Sequence, residues 1–125
     1  MQQLFLLIGT ALGGSGIAIG AFGAHALKAV LVNSGRLDVY ETAVKYQFYH
    51  AFALLILGLL MYRVQSPLLN YAGIAFTIGT IIFSGSLYIL CLSGVGKWGA
   101  VTPLGGIILI IGWCLLFAGI AQSVK

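Results

Sequence analysis

Two histidines are the side chains in this sequence best suited to chemistry. His25 closes the first long apolar stretch, and His50 lies a turn or so inside the second. Neutral imidazole ligates metals and haem iron, and it can hydrogen-bond a quinone or an anionic lipid head. Tyr46 and Gln47 sit within a turn of His50, and Tyr88 and Thr102 fall at the same end of their own segments. The expected arrangement is a shared polar cluster of His25, Tyr46, Gln47, His50, Tyr88 and Thr102 at one membrane face, with Ser93, Lys97 and Trp98 at that level. Two imidazoles alone make a sparse metal set. The competing expectation is that they hydrogen-bond neighbouring helices and tyrosines and fix the polar end of the fold. No cofactor is predicted, and the histidines keep haem, a metal ion, a quinone and a lipid head group open as ligands. No nucleophile is paired with a base, so no catalytic residue is assigned and an enzyme is not the expectation. Cys91 and Cys114 lie inside apolar runs without CxxC or metal spacing, and read as small buried or lipid-facing residues.

The solvent for such a cluster follows from composition. Of 125 residues, 61% are hydrophobic and 6% charged, against about a quarter charged in a soluble domain. This chain cannot cover itself with polar surface, so lipid must surround most of it. The net charge is +4, but Lys28, Arg36, Lys45, Arg63, Lys97 and Lys125 are scattered at the ends of apolar runs. Those are interface-anchor positions, not the basic patch that nucleic-acid binding requires. No Asp, Glu, Lys or Arg falls mid-span, which argues against a pump or coupled transporter.

Four apolar stretches, each near the roughly 20 residues that span a bilayer, account for nearly the whole chain. The expectation is an all-α integral membrane protein: a four-transmembrane-helix bundle with antiparallel neighbours and short loops, residues 1–125 forming one domain. The helices are expected at about 4–32, 39–62, 67–92 and 103–121. Ala24-His25-Ala26 superficially resembles a signal-cleavage site, but Met1-Gln2-Gln3 lacks a positive leader region, so a retained helix is expected. Asn33-Ser34-Gly35 should stop the first helix. Asp38 with Glu41 resembles a capping box for the second, and Glu41 then precedes Lys45 by one turn in the favourable order. Ser66-Pro67 and Thr102-Pro103 are cap-plus-proline starts for the last two. The positive-inside rule places the two longer loops in the cytoplasm and the termini outside.

The first helix carries glycines at 9, 13, 16, 20 and 23, and a second small stripe of Ala11, Gly14, Ala18 and Ala21; Ile8, Leu12, Ile19 and Phe22 form the remaining ridge. Small-xxx-small stripes let helices approach closely in lipid, where packing drives association. Small residues on most of its circumference predict that this helix is the hub of the bundle, with Gly9, Gly13, Gly16, Gly20 and Gly23 as its packing residues. One stripe facing a second protomer or another protein is the alternative.

Several segments together resemble a known family. They are Gly20–Leu27, Tyr40–Ala51, Phe83–Tyr88, Thr102–Gly106 and Gly112-Trp113, in order along essentially the whole chain. They resemble the YgdD-type family of small bacterial inner-membrane proteins of unknown function, which has small mitochondrial relatives in eukaryotes. The resemblance implies a multi-pass protein of the cell (inner) membrane and no assigned activity, and it draws attention to His25, Tyr46, Gln47, His50, Ser84, Ser86, Tyr88 and Thr102. The expected role is a non-enzymatic accessory, assembly or oligomeric membrane component, with membrane lipids and another membrane protein or itself as partners and no nucleic acid. The alternatives are a small-molecule binder at His25/His50 and an oligomeric pathway for a small neutral solute lined by Thr77, Thr80, Ser84 and Ser86.

Overall fold

The spacing of glycines decides how the helices meet. In the computed structural model, which describes residues 1–124, α1 spans Gln2–Ala24, α2 Lys28–Asn33, α3 Leu37–Leu60, α4 Pro67–Ser93 and α5 Thr102–Ser123, with a 3₁₀ turn at Gly96–Ala100 before α5. Lys125, counted above among the bases, lies outside the described residues. The four long helices are apolar and long enough to cross a membrane.

Gly9, Gly16 and Gly23 of α1 form one seam against α3. An added Cβ at Gly9 would lie 2.9 Å from the Ala51 carbonyl and 3.0 Å from Leu55. At Gly16 it would lie 3.1 Å from the Phe48 ring, and at Gly23 it would collide with Tyr40. As α1 advances from Gly9 to Gly23 its partners retreat from Leu55 to Tyr40, so the pair is antiparallel. The α4–α5 pair repeats the device. Gly105, Gly112 and Gly119 receive Phe83, Phe76 and Leu69, with an added Cβ at 2.5 Å from the Phe83 nitrogen, 2.8 Å from Phe76 and 2.9 Å from Leu69. Both glycine sets, and the Leu69-Phe76-Phe83 knobs, recur every seventh residue. That is the period at which two helices stay in contact while coiling gently around each other.

The hub is not α1. The core lies between α3 and α4, where Leu54, Leu57, Leu69, Ala72 and Phe76 are completely buried, with Phe5 of α1 and Leu109 and Leu116 of α5 added from the flanks. Only 17% of the spanning window of α1 is buried, against 44% for α3 and for α4. Along their lengths, α1 packs on α3 and α5 packs on α4. The expected five-glycine stripe is split: Gly9, Gly16 and Gly23 enter the seam, Gly20 only touches Val44, and Gly13 has nothing within 4 Å. Ala11, Gly14, Ala18 and Ala21 are all exposed. Small residues permit close approach on every side, but lipid is as apolar as another helix and does not force each side to be used.

The first helix also stops short of residue 32. The backbone leaves the helix at His25 and restarts at Lys28. A straight continuation would carry Leu31 about 10 Å beyond the end of α1. Turning instead buries Leu31 with Tyr40 and Cys91 at the loop end of the core. Gly35 and Gly94, at φ +68° and +72°, supply the left-handed residues that end α2 and α4. Arg36 donates to the Gly94 carbonyl at 3.3 Å, tying the two longer loops together. Ser66 caps α4 through the Leu68 N–H, as expected. Asp38 does not cap: α3 begins at Leu37, so its carboxylate sits in the first turn, where it still complements the helix dipole. Val101, not Thr102, precedes α5, which frees the Thr102 hydroxyl for a tertiary contact.

Two glycines on the same pattern should therefore differ in tolerance. Gly105→Ala presses a methyl into backbone and should cost about 1–3 kcal/mol, while Gly13→Ala should be neutral. Thermal unfolding in detergent checks this; equal effects at the two positions would contradict the seam.

Candidate functional site

The inward face of α3 carries Ala43, Gln47, His50, Leu54 and Leu57 at helical spacing, all buried. Two of these are polar, and their partners must come from other helices because lipid supplies none.

Gln47 joins three helices. Its amide nitrogen donates to the Leu12 carbonyl and to the Ser15 hydroxyl of α1, each at 2.9 Å. Its amide oxygen accepts the Tyr88 hydroxyl of α4 at 2.7 Å. Nearer the loops, the Tyr40 hydroxyl donates to the Ile19 carbonyl at 2.6 Å, and its ring meets Tyr88 edge-on. Ser84 of α4 donates to the Ala43 carbonyl of α3 at 2.7 Å. Ser86 of α4 and Thr102 of α5 share a hydrogen bond at 2.7 Å.

His50 lies close to the midpoint of α3 and meets Trp113, close to the midpoint of α5. The Trp113 indole N–H can only donate, so His50 Nε2, at 3.2 Å, must accept. Nδ1 therefore carries the proton and donates to the Tyr46 carbonyl one turn back, at 2.8 Å. The contact fixes a neutral ring with a single tautomer. It also leaves no free lone pair, so a metal or haem iron could take His50 only by displacing Trp113. Phe76 packs against both rings, and Tyr46 stacks on His50 and meets Phe83.

The six expected cluster residues thus divide. Gln47 and Tyr88 are bonded to each other, Tyr46 and His50 are neighbours, and Thr102 pairs with Ser86. His25 is apart from all of them. It is exposed, in a shallow groove with Ala18, Ala21, Phe22 and Ala26, and its side chain makes no hydrogen bond among the described residues. Gly23 faces Tyr40, so His25 lies about level with Asp38, roughly 18 Å along the bundle from His50 at 1.5 Å per residue. The shared two-histidine site is not formed, because the two residues end up at different depths. Among the described residues, no three His, Cys, Asp or Glu side chains gather as a metal set. Of the α4 hydroxyls expected to line a path, those of Thr77, Ser84 and Ser86 are engaged by Gly73, Ala43 and Thr102, while that of Thr80 is buried without a hydrogen-bond partner among the described residues.

Trp113 is the partner that sequence reasoning missed. Its signal was available: an indole in the middle of an apolar span, away from the interface where tryptophan is usual, needs a buried acceptor.

The tautomer is directly testable. ¹⁵N NMR of detergent-solubilised protein at neutral pH should show His50 protonated at Nδ1. Replacing Trp113 with phenylalanine should move that signature and cost about 1 kcal/mol. A ring protonated at Nε2 would contradict the contact.

Comparison with known proteins places these residues in a family. A family model described as "Protein of unknown function (DUF423)" matches residues 19–106, a range that holds all six expected cluster residues. A UPF0382 membrane protein of Staphylococcus aureus is 42% identical over 115 residues, covering 92% of this chain and 93% of that one. A UPF0382 membrane protein of Staphylococcus haemolyticus is 40% identical over the same length. The UPF0382 inner membrane protein YgdD of Escherichia coli is 38% identical over 120 residues, 95% of this chain and 91% of that one. No solved structure matches. Four apolar helices and these relatives make the chain a multi-pass protein of the cell (inner) membrane, and it belongs to the DUF423 family.

Proposed function

We propose that the protein is a non-enzymatic assembly component of the membrane, offering the outer face of α1 to another transmembrane helix, of a second copy or of a different membrane protein. The observation that carries this reading is the division of labour on α1. Its Gly9-Gly16-Gly23 seam is spent on α3, while Ala11, Gly14, Ala18 and Ala21 remain exposed and an added Cβ at Gly14 would meet nothing within 4 Å. A straight small-residue face admits a second helix at close range, and in lipid that packing is the main source of affinity. The interior, by contrast, is already tied by Gln47, His50, Ser84 and Thr102 and gives a rigid body on which to present such a face.

The test separates the two faces. Gly14→Leu with Ala18→Leu should abolish an oligomer or a co-purifying membrane partner on native gels while leaving the unfolding temperature of the solubilised monomer unchanged. Leucines at Gly16 and Gly23 should instead destabilise the monomer itself. Native migration unaltered by the outer pair would refute the proposal.

A further inference from the structure

The polar contact between His50 and Trp113 has a neighbour that the assembly reading does not use. Tyr46, His50, Phe83, Gly106, Leu109 and Trp113 line a cleft of about 270 Å³ among α3, α4 and α5. It opens toward the lipid, since Tyr46 and Trp113 remain 39% and 48% exposed. Its walls are aromatic: the Tyr46 and Phe83 rings stand 4.6 Å apart between centroids, and His50 and Trp113 6.0 Å apart. Gly106 borders it beside Phe83 and leaves room to spare, since an added Cβ there would make only an ordinary contact with the Phe83 ring, at 3.7 Å. The hydrogen bond from Trp113 to His50 holds the indole at the cleft's edge.

The polar groups of the cleft are not equivalent. Both His50 nitrogens and the indole N–H are satisfied internally. The Tyr46 hydroxyl has no protein partner among the described residues. A side chain on a helix leans toward the helix N-terminus, which carries that hydroxyl to the loop-side rim of the cleft. Tyr46 lies about 4 Å from the midpoint of α3, on the side of the longer loops and level with Phe83. The cleft therefore offers aromatic walls, completed by Leu109 and Ile110, and one hydroxyl donor on its loop-side rim. A lipid acyl chain would use neither feature. The volume falls just under the about 300 Å³ at which ligand sites usually begin, so it suits one ring and not a macrocycle.

We propose that this cleft binds the ring of a quinone-type lipid, a planar carbonyl-bearing head whose oxygen accepts the Tyr46 hydroxyl and whose tail lies in the bilayer. The proposal concerns binding at a single site on α3, α4 and α5, remote from the outer face of α1.

Decylubiquinone titrated into the protein in nanodiscs provides the test, with Trp98→Phe as background so that Trp113 is the only indole. Contact with a quinone ring quenches indole emission, so quenching should saturate. Gly106→Leu, which fills the cleft, should weaken binding about tenfold or more. Tyr46→Phe, which removes one oxygen and keeps the ring, should weaken it about fivefold. Decylbenzene, with the same tail and no carbonyl, should not compete. Quenching that rises linearly without saturation, or reversal of the quenching by an equal concentration of decylbenzene, would overturn the proposal. Should Gly106→Leu fail to fold, Tyr46→Phe decides alone, and an unchanged affinity there overturns it.

Discussion

Close approach of helix backbones at glycine is the constraint on which the rest of this structure depends. In lipid there is no hydrophobic force to drive helices together, so the contact must come from complementary shape. Gly9, Gly16 and Gly23 on one side of the molecule and Gly105, Gly112 and Gly119 on the other provide it, each accepting a bulky side chain from an inner helix. Every second turn of the outer helix is thereby locked to a defined turn of its neighbour. The register that results sets the level of every polar side chain.

The hydrogen bonds are consequences of that register. Gln47 reaches the Leu12 carbonyl because α1 is held close enough for its backbone to be within range. Ser84 reaches the Ala43 carbonyl across the α3–α4 contact for the same reason. His50 and Trp113 meet because α5 is fixed on α4 while α4 is fixed on α3. Each such bond adds about half to one kcal/mol in a membrane, less than the packing of a whole seam. Their value is in specificity, since a helix shifted by one residue would leave an amide or an imidazole without a partner where water is scarce. The aromatic cleft beside His50 exists on the same terms, walled by Tyr46 and Phe83 from two helices and bordered by a glycine from a third.

Much of this was legible in the sequence. Four spans followed from the apolar runs, the stop at Gly35 and the start at Ser66-Pro67 followed from turn and cap chemistry, and Pro103 marked the start of α5 although Thr102 does not cap it. Gln47, His50 and Tyr88 were singled out as polar side chains expected to gather at one membrane face around an imidazole. What was not legible was which face of a small-residue helix would be used. The α1 pattern of alternating four- and three-residue glycine steps contains two interleaved seven-residue series. Only knowledge of the partner's knobs, Leu55, Phe48 and Tyr40, selects the series that begins at Gly9. The depth of His25 was misjudged for a related reason: the Gly23–Tyr40 contact sets it level with Asp38, about three turns from His50. The end of α1 at His25 was missed as well, because the turn that follows buries Leu31 against Tyr40 and Cys91, a tertiary gain that local sequence does not announce.

The glycine register is tested most directly by cysteine cross-linking in native membranes, in a variant whose Cys91 and Cys114 are replaced by alanine. An added Cβ at Gly20 would lie 3.4 Å from the Val44 Cγ1, an ordinary contact, which puts cysteines at 20 and 44 within disulfide reach. They should therefore form an intramolecular disulfide under mild oxidation, while cysteines at 21 and 44, the former on the exposed face of α1, should stay reduced. A reduced 20/44 pair, or equal cross-linking of the two pairs, would contradict the account.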